Sequence, residues 1–212
     1  MRIKYYGHSC FSLTSKRGTT VLTDPYTRVG YELPGKLSVD IVTVSHQHFD
    51  HNYVGAVRYK KIVDDIGREV INDVEIVGED SFHDPQYGKL RGKNIIFKIK
   101  IDGMTICHLG DLGEPCSKAI LDKIGQVDIL LIPIGGTYTI DAEQAKEYIK
   151  NVAPKVAIPM HYKPSDGSLD ITAADAFLKL YRAEEVEKVG LGEIEINSIE
   201  NTKPIIYMER IQ

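Results

Sequence analysis

Between Ser45 and His51 the chain reads Ser-His-Gln-His-Phe-Asp-His, which sets three imidazoles and one carboxylate within the six residues from His46 to His51. The whole chain has only seven histidines, so solvation or packing does not account for this density. The apolar run Ile41-Val42-Thr43-Val44 leads directly into it. In a strand, residues two apart point the same way, so His46 and His48 share a face, and the following turn can bring Asp50 and His51 beside them. Four donors of this kind suit one or two divalent ions, and the chemistry they offer is activation of water and polarisation of a carbonyl or phosphoryl oxygen.

The remaining donors differ in how well their settings match. His161 ends the apolar strand Val156 to Met160 just as His46 ends its own, and reads as a ligand. His83 follows Val74 to Val77 in a polar stretch and reads the same way. Asp111, flanked by Gly110 and Gly113, sits where backbone can approach an ion closely, and its two oxygens can bridge two cations. His108 has the opposite parity to Asp111 and is expected to pack or hydrogen-bond within the fold. His8 fits the rim or the interior equally well. Asp24 suits either a turn or an acceptor that orients a ligand imidazole.

These donors need a scaffold that a chain of 212 residues, 42% hydrophobic, can build around one core, so a single domain over residues 1–212 is expected. The net charge is -4 and no Lys/Arg stripe is present, which gives nucleic-acid binding no support and makes a small-molecule substrate the default partner. Three widely spaced cysteines without a CxxC pair argue against a disulfide framework. With no signal-type apolar segment after Met1 and no stretch long enough to span a bilayer, a soluble, cytoplasmic, non-membrane protein is expected. Oligomeric state is not legible.

Strands are expected near 2–6, 9–15, 19–24, 39–45, 73–77, 94–101, 104–109, 127–134, 155–160, 192–198 and 204–209, each rich in Ile, Val, Tyr or Thr between turn residues. Asp141 with Gln144 forms a capping-box signature, and Ala145, Tyr148, Ile149 and Val152 follow at helical spacing. A second helix is expected from Thr172 through Leu180, with shorter ones at 52–66 and 116–124. The halves also echo each other. Phe11 to Asp24 and Phe97 to Asp111 are both strand, glycine turn and strand ending in Asp; Val39-Asp40-Ile41 leads to His46 as Val127-Asp128-Ile129 leads to Gly135-Gly136. The offsets, 87 residues for Asp24 to Asp111 and 88 for Val39 to Val127, share one register. Two β-rich half-repeats packed face to face would bring equivalent strand ends to one rim. That register puts Thr137 and Tyr138 opposite the ligand loop as substrate contacts. Further rim candidates are Tyr26, Arg28, Tyr31, Tyr87, Tyr162 and Lys163.

The run His46-Gln47-His48-Phe49-Asp50-His51 matches an HxHxDH signature. Together with Gly7-His8-Ser9, Leu22-Thr23-Asp24-Pro25, Gly110-Asp111 and Ile158-Pro159-Met160-His161, it resembles the small metal-dependent hydrolase branch of the metallo-β-lactamase superfamily. The resemblance spans residues 3 to about 165. It implies an α+β fold, an αββα sandwich with helices on the outer faces, and a dinuclear site. In that site His46, His48 and His83 hold one ion, Asp50, His51 and His161 the other, and Asp111 bridges them. The interval from His51 to His83 is short for the family, which leaves the third ligand of the first ion open. The resemblance favours Zn2+, with Fe or Mn2+ also compatible with such donors.

Two ions about 3.5–4 Å apart can share a water and lower its pKa from 15.7 towards about 7, while Asp50 accepts or returns a proton. The expected function is hydrolysis of a small ester, lactone or related metabolite by a metal-bridging hydroxide. Two alternatives stand beside it: a phosphodiesterase acting on nucleotides or lipid head groups, and a metal-stabilised binding module without turnover.

Overall fold

The computed structural model describes residues 1–200 and 202–211. Its strands, in chain order, are β1 (Arg2–Gly7), β2 (Cys10–Thr14), β3 (Thr20–Thr23), β4 (Leu37–Ser38), β5 (Ile41–Thr43), β6 (Val57–Arg58), β7 (Lys61–Val63), β8 (Gly67–Ile71), β9 (Val74–Phe82), β10 (Lys93–Ile101), β11 (Met104–His108), β12 (Ile129–Pro133), β13 (Val156–Met160), β14 (Val186–Val189), β15 (Glu193–Glu195) and β16 (Ile205–Met208). The helices are α1 (Lys118–Ile124), α2 (Ala142–Val152) and α3 (Asp175–Leu178). One mixed sheet runs β15-β1-β2-β3-β5-β7, the other β14-β16-β13-β12-β11-β10-β9-β8, and β4 pairs separately with β6.

The half-repeat expected from the sequence is present in the pairing. From β1 to β7 the neighbours pair antiparallel, antiparallel, parallel and parallel. From β9 to β13 the same order recurs. Strands β1, β3, β5 and β7 therefore point one way, as do β9, β11, β12 and β13, and their C-terminal ends supply the rim. Equivalent strands deliver His8 and His83, then Asp24 and Asp111, then the 45–51 and 135–138 loops, then Asp64 and His161.

The inner faces explain why the sheets stack. Ile3, Leu13, Val21 and Ile41 of one sheet and Ile76, Phe97, Ile99 and Leu130 of the other are fully buried in one cluster. Burying such side chains contributes about 1.5–3 kcal/mol each, enough to hold two sheets that share few hydrogen bonds. Helix α2 covers β12 and touches α1 and α3. It starts on the capping box: Asp141 accepts from Gln144 N while Gln144 reaches back to Asp141 N. Over the six-stranded sheet a second cluster is built from Leu22, Val42 and Val44 below and Tyr26, Val29, Val39 and Val57 above.

Two helix expectations change. Residues 52–66 hold a single 3-10 turn, Val54–Ala56, followed by β6 and β7. The Lys61-Ile62-Val63 run extends the sheet by pairing with Ile41-Val42-Thr43, and tertiary pairing outweighs a spacing that Gly55 already weakened. The helix expected from Thr172 is only one turn long, because Ala174 serves as its N-cap without a side-chain hydrogen bond. No helix among the described residues is long and apolar enough to cross a membrane.

Candidate metal centre

At the rim, strands must break abruptly so that the next side chain turns inward, and the backbone records this. His8, Asp24, Thr137 and His161 all have positive φ, between 37° and 56°, without being glycine. Such conformations cost of order 1–3 kcal/mol each and persist where surrounding structure over-determines them. The breaks are pinned across the two halves: His161 N donates to His8 O at 2.8 Å, Ile95 N to Ser45 O at 2.9 Å. Gly110, φ 55°, precedes Asp111, and a Cβ there would meet Asn94 Oδ1 and, at 2.6 Å, Ser45 Cβ. Only glycine allows this approach. Asn94 in turn accepts from Asp111 N at 2.9 Å and donates to Leu109 O at 2.9 Å, which fixes the turn.

Around Asp111 the imidazoles converge. Its Oδ1 lies 3.1 Å from His51 Nε2, and its Oδ2 lies 3.1 Å from His83 Nε2, 3.2 Å from His161 Nε2 and 3.8 Å from His46 Nε2. Two donor groups share this hub: His46 with His48 and His83, and His8 with Asp50, His51 and His161, the ligand atoms of each group lying within 4.8 Å of one another. The structure thus brings together all seven donors expected from the sequence, including His83. It adds His8, whose Nε2 is 3.2 Å from Asp50 Oδ2 and 3.1 Å from His51 Nε2. Position carried the missing signal, since His8 follows β1 as His83 follows β9 in the half-repeat.

The outer nitrogens are oriented by hydrogen bonds that leave the inner ones free. His83 Nδ1 donates to Tyr138 O at 3.0 Å. His51 Nδ1 donates to Asp24 Oδ2 at 2.8 Å. Ser45 Oγ spends its proton on Asp24 Oδ2 at 2.6 Å, so it accepts from His46 Nδ1 at 3.0 Å. When each ring is neutral, its Nε2 lone pair is then directed at the hub. Asp24 also accepts from Ser45 N at 2.8 Å, so it is an orienting acceptor rather than a simple turn residue. His108 stays in the fold as expected: Nε2 donates to Ser9 O at 2.8 Å and Nδ1 accepts from Gly110 N at 3.2 Å.

Whether a cation fits can be read from the unmet demand. Seven buried side-chain polar atoms among the described residues lack a hydrogen-bond partner, and four of them, His46 Nε2, Asp111 Oδ1 and both nitrogens of His161, belong to this cluster. Leaving such atoms unpaired costs about 1–3 kcal/mol each, and an ion held between His46 Nε2, Asp111 Oδ1 and His161 Nε2 would remove it for those three. The charge state agrees. Burial, with His161 alongside, lowers the His8 pKa to about 4 and keeps it a neutral donor. Burial would raise Asp111, yet His161 and His51 hold its carboxyl well below the usual range. Burial opposes a proton on His51, but Asp111 and Asp24 outweigh it and lift its pKa well above that of an ordinary imidazole. Positive charge is favoured at the hub.

Asp24→Asn keeps the shape but puts an N–H donor in place of one of the two carboxylate oxygens that accept from His51 and Ser45. It is expected to weaken metal binding and activity about 10- to 100-fold, as loss of an orienting partner does elsewhere. Competition against a fluorescent chelator measures the first; an unchanged affinity would make Asp24 structural only.

The substrate candidates separate. Thr137 and Tyr138 are exposed at the rim beside His83. Tyr26 is buried with its hydroxyl on Tyr6 O, and Tyr162 with its hydroxyl on Met208 O. Tyr31, Tyr162 and Lys163 line a different cavity, of about 490 Å3, next to Gly7 and Arg210. These three do not line the cavity that contains His46 and His48, because the Gly7 turn lets Tyr31 pack behind His8 instead.

Known proteins agree with this architecture. The family model described as "Beta-lactamase superfamily domain" matches residues 2–161. A UPF0173 metal-dependent hydrolase of Thermoplasma acidophilum is 31% identical over 193 residues, 78% of this chain and 85% of its own length. Another, from Carboxydothermus hydrogenoformans, is 29% identical over 192 residues, covering 76% and 84%. Among solved structures, a Thermotoga maritima protein assigned to the Zn-dependent hydrolases of the metallo-β-lactamase superfamily superposes with a TM-score of 0.82 at 36% identity, over 100% of this chain and 99% of the other. The chain belongs to the β-lactamase superfamily and has its α+β sandwich fold. Within that superfamily it is a metal-dependent hydrolase.

Proposed function

We propose that this chain is a zinc-dependent hydrolase with a dinuclear centre, acting on a small ester, lactone or related metabolite in the cytoplasm. His46, His48 and His83 would hold one ion, Asp50, His51 and His161 the other, and Asp111 would lie between them, with His8 a further donor to the second group. The observation that carries this reading is the pair of donor clusters joined through one buried carboxylate. Mixed imidazole and carboxylate donors suit Zn2+, with Fe or Mn2+ as alternatives. The reading takes residues 1–212 as one hydrolase domain, supported by a single core cluster that draws on both large sheets. Three free cysteines accord with a reducing compartment.

A divalent ion in such a site supplies a Lewis acid and lowers the pKa of water from 15.7 to about 7. The residues supply the rest. Burial would raise the Asp50 carboxyl, but the hydrogen bond to His8 and the nearby His51 hold it below its ordinary value, so it stands ionised. Its Oδ2, 3.2 Å from His8 Nε2, is placed to take a proton from an attacking water and return it to a leaving group. Asp24 and the Tyr138 carbonyl hold His51 and His83 in register while this happens. His48, exposed at the mouth, leaves one side of the cluster open to substrate.

Metal analysis coupled to a panel of carboxylic esters, lactones, amides and phosphodiesters tests the reading. Two equivalents of zinc and ester or lactone turnover that His48→Ala reduces by at least about tenfold are expected. Absence of bound metal, or a His48→Ala variant as active as the parent, rejects it; turnover confined to phosphodiesters moves the function to the phosphodiesterase alternative.

A further inference from the structure

From His46 and His48 a cavity of about 450 Å3 runs away from the cluster, with Arg91 and Lys93 on its wall. Arg91 is half-buried, and its guanidinium carbon sits 5.5 Å from the Tyr138 ring centroid. Among the described residues, neither the Arg91 guanidinium nor the Lys93 ammonium has a hydrogen-bond or ion-pair partner. Arg68, Arg182 and Arg210, by contrast, each hold a carboxylate. The Tyr138 ring takes up a cation–π position against Arg91 without using its N–H groups, which remain able to bind a carboxylate or phosphate through two parallel hydrogen bonds.

The backbone beneath Arg91 is fixed in advance. Asp84, buried and directly after His83, accepts from Gln86 N at 2.8 Å, Leu90 N at 3.0 Å and Arg91 N at 2.8 Å. Gly92 N closes onto Gly88 O at 3.0 Å, and His83 N onto Gly92 O at 3.1 Å. One compact loop therefore starts on a candidate ligand and ends on the arginine. Tyr138, in the loop that follows β12 of the same sheet, ties the same two groups, with its carbonyl on His83 and its ring under Arg91. Preorganisation of this kind reduces the ordering cost of binding.

Three carboxylates share the cavity and decide how much field is left. Asp80 is neutralised by Lys123 at 2.9 Å. Asp65 turns back on Ile66 N at 2.8 Å, and Asp64 stands beside it at the end of β7. Both lie beyond β5 in the other sheet, whereas Arg91 precedes β10 and Lys93 opens it, so on the wall next to Asn94 and Ile95 two cations stand with one carboxylate, Asp80, that Lys123 already holds.

We infer that Arg91 is a specificity-determining residue that binds a carboxylate or phosphate carried by the substrate, with Lys93 adding attraction from the same wall. This rests on the hydrolase reading for the identity of the ligand as substrate, and the test separates the two. Zinc-loaded protein, its Arg91→Ala variant and its Arg91→Lys variant are titrated calorimetrically with inorganic phosphate and with acetate. Metal content and melting temperature are followed in parallel. The alanine variant is expected to lose about 10- to 100-fold in affinity for one of these anions at unchanged metal content, with lysine restoring part of it. Loss for phosphate alone identifies a phosphorylated substrate, and loss for acetate alone a carboxylated one.

In the kinetic arm, matched esters with and without the preferred anionic group are compared. The parent should favour the charged ester, and Arg91→Ala should collapse that preference by a similar factor through KM rather than kcat. Equal anion affinities in parent and alanine variant, or an unchanged ester preference, overturn the inference while leaving the hydrolase reading intact. Arg91-dependent anion binding without turnover of any ester supports the inference and counts against that reading.

Discussion

Replacement of Asp111 by alanine is expected to lower kcat/KM at least about 10³-fold and, in the proposed dinuclear centre, to reduce bound metal from two equivalents to one or none. The carboxylate faces both donor clusters, with its two oxygens within 3.1–3.2 Å of three imidazole nitrogens. A loss of this size is about 4 kcal/mol at 1.36 kcal/mol per tenfold, within the several kcal/mol that metal-assisted charge stabilisation supplies. Because alanine also leaves a void at the buried hub, Asp111→Asn serves as a second variant that keeps the volume while removing the charge. Elemental analysis and steady-state kinetics on folded protein decide the matter. Retention of both zinc equivalents with activity within a factor of a few would show that the two donor groups do not depend on Asp111.

Metal removal should have a comparable effect on stability. At a metal concentration of ~1,000 Kd, linkage adds about 4.1 kcal/mol, which for a domain of this size is roughly 8–16 °C in melting temperature. The pH dependence has a definite sign. His51 has a raised pKa in the metal-free protein, so the stability its proton provides is complete below about pH 6.5 and is lost as pH rises through the raised value. Asp24 works in the opposite sense: burial would raise it, but the His51 hydrogen bond holds it low, so its contribution is present above about pH 4 and lost as pH falls through the depressed value. Metal affinity itself grows with pH, because protons compete for the same nitrogens. The gap in melting temperature between zinc-loaded and chelator-treated protein should therefore widen from about pH 6.5 upward. A gap that is absent or narrows over this range would mean that these imidazoles do not exchange protons for metal.

Sequence alone determined the outline because its strongest signals are local. The six residues from His46 to His51 declare metal chemistry through density of donors, and alternating apolar residues declare most of the strands. Constant offsets of 87 and 88 residues were enough to foresee two equivalent halves, and the identical pairing order in both sheets follows that register. Helix 142–152 was legible from its capping box, a contact within four residues.

What tertiary structure decided are the relations that no short window contains. Within the 52–66 segment Lys61–Val63 became strand because β5 had an edge to pair, and β-pairing depends on the neighbour rather than on the segment. His8 joined the cluster, and Tyr31, Tyr162 and Lys163 moved to another cavity, through the strained breaks at strand ends, whose direction is set by packing between the halves. Arg91 carried no signal of its own in a loop with other cations. Its setting comes from Asp84 below it and Tyr138 beside it, 47 positions on in the chain, and proximity of that kind exists only after β9 to β12 have paired into one sheet.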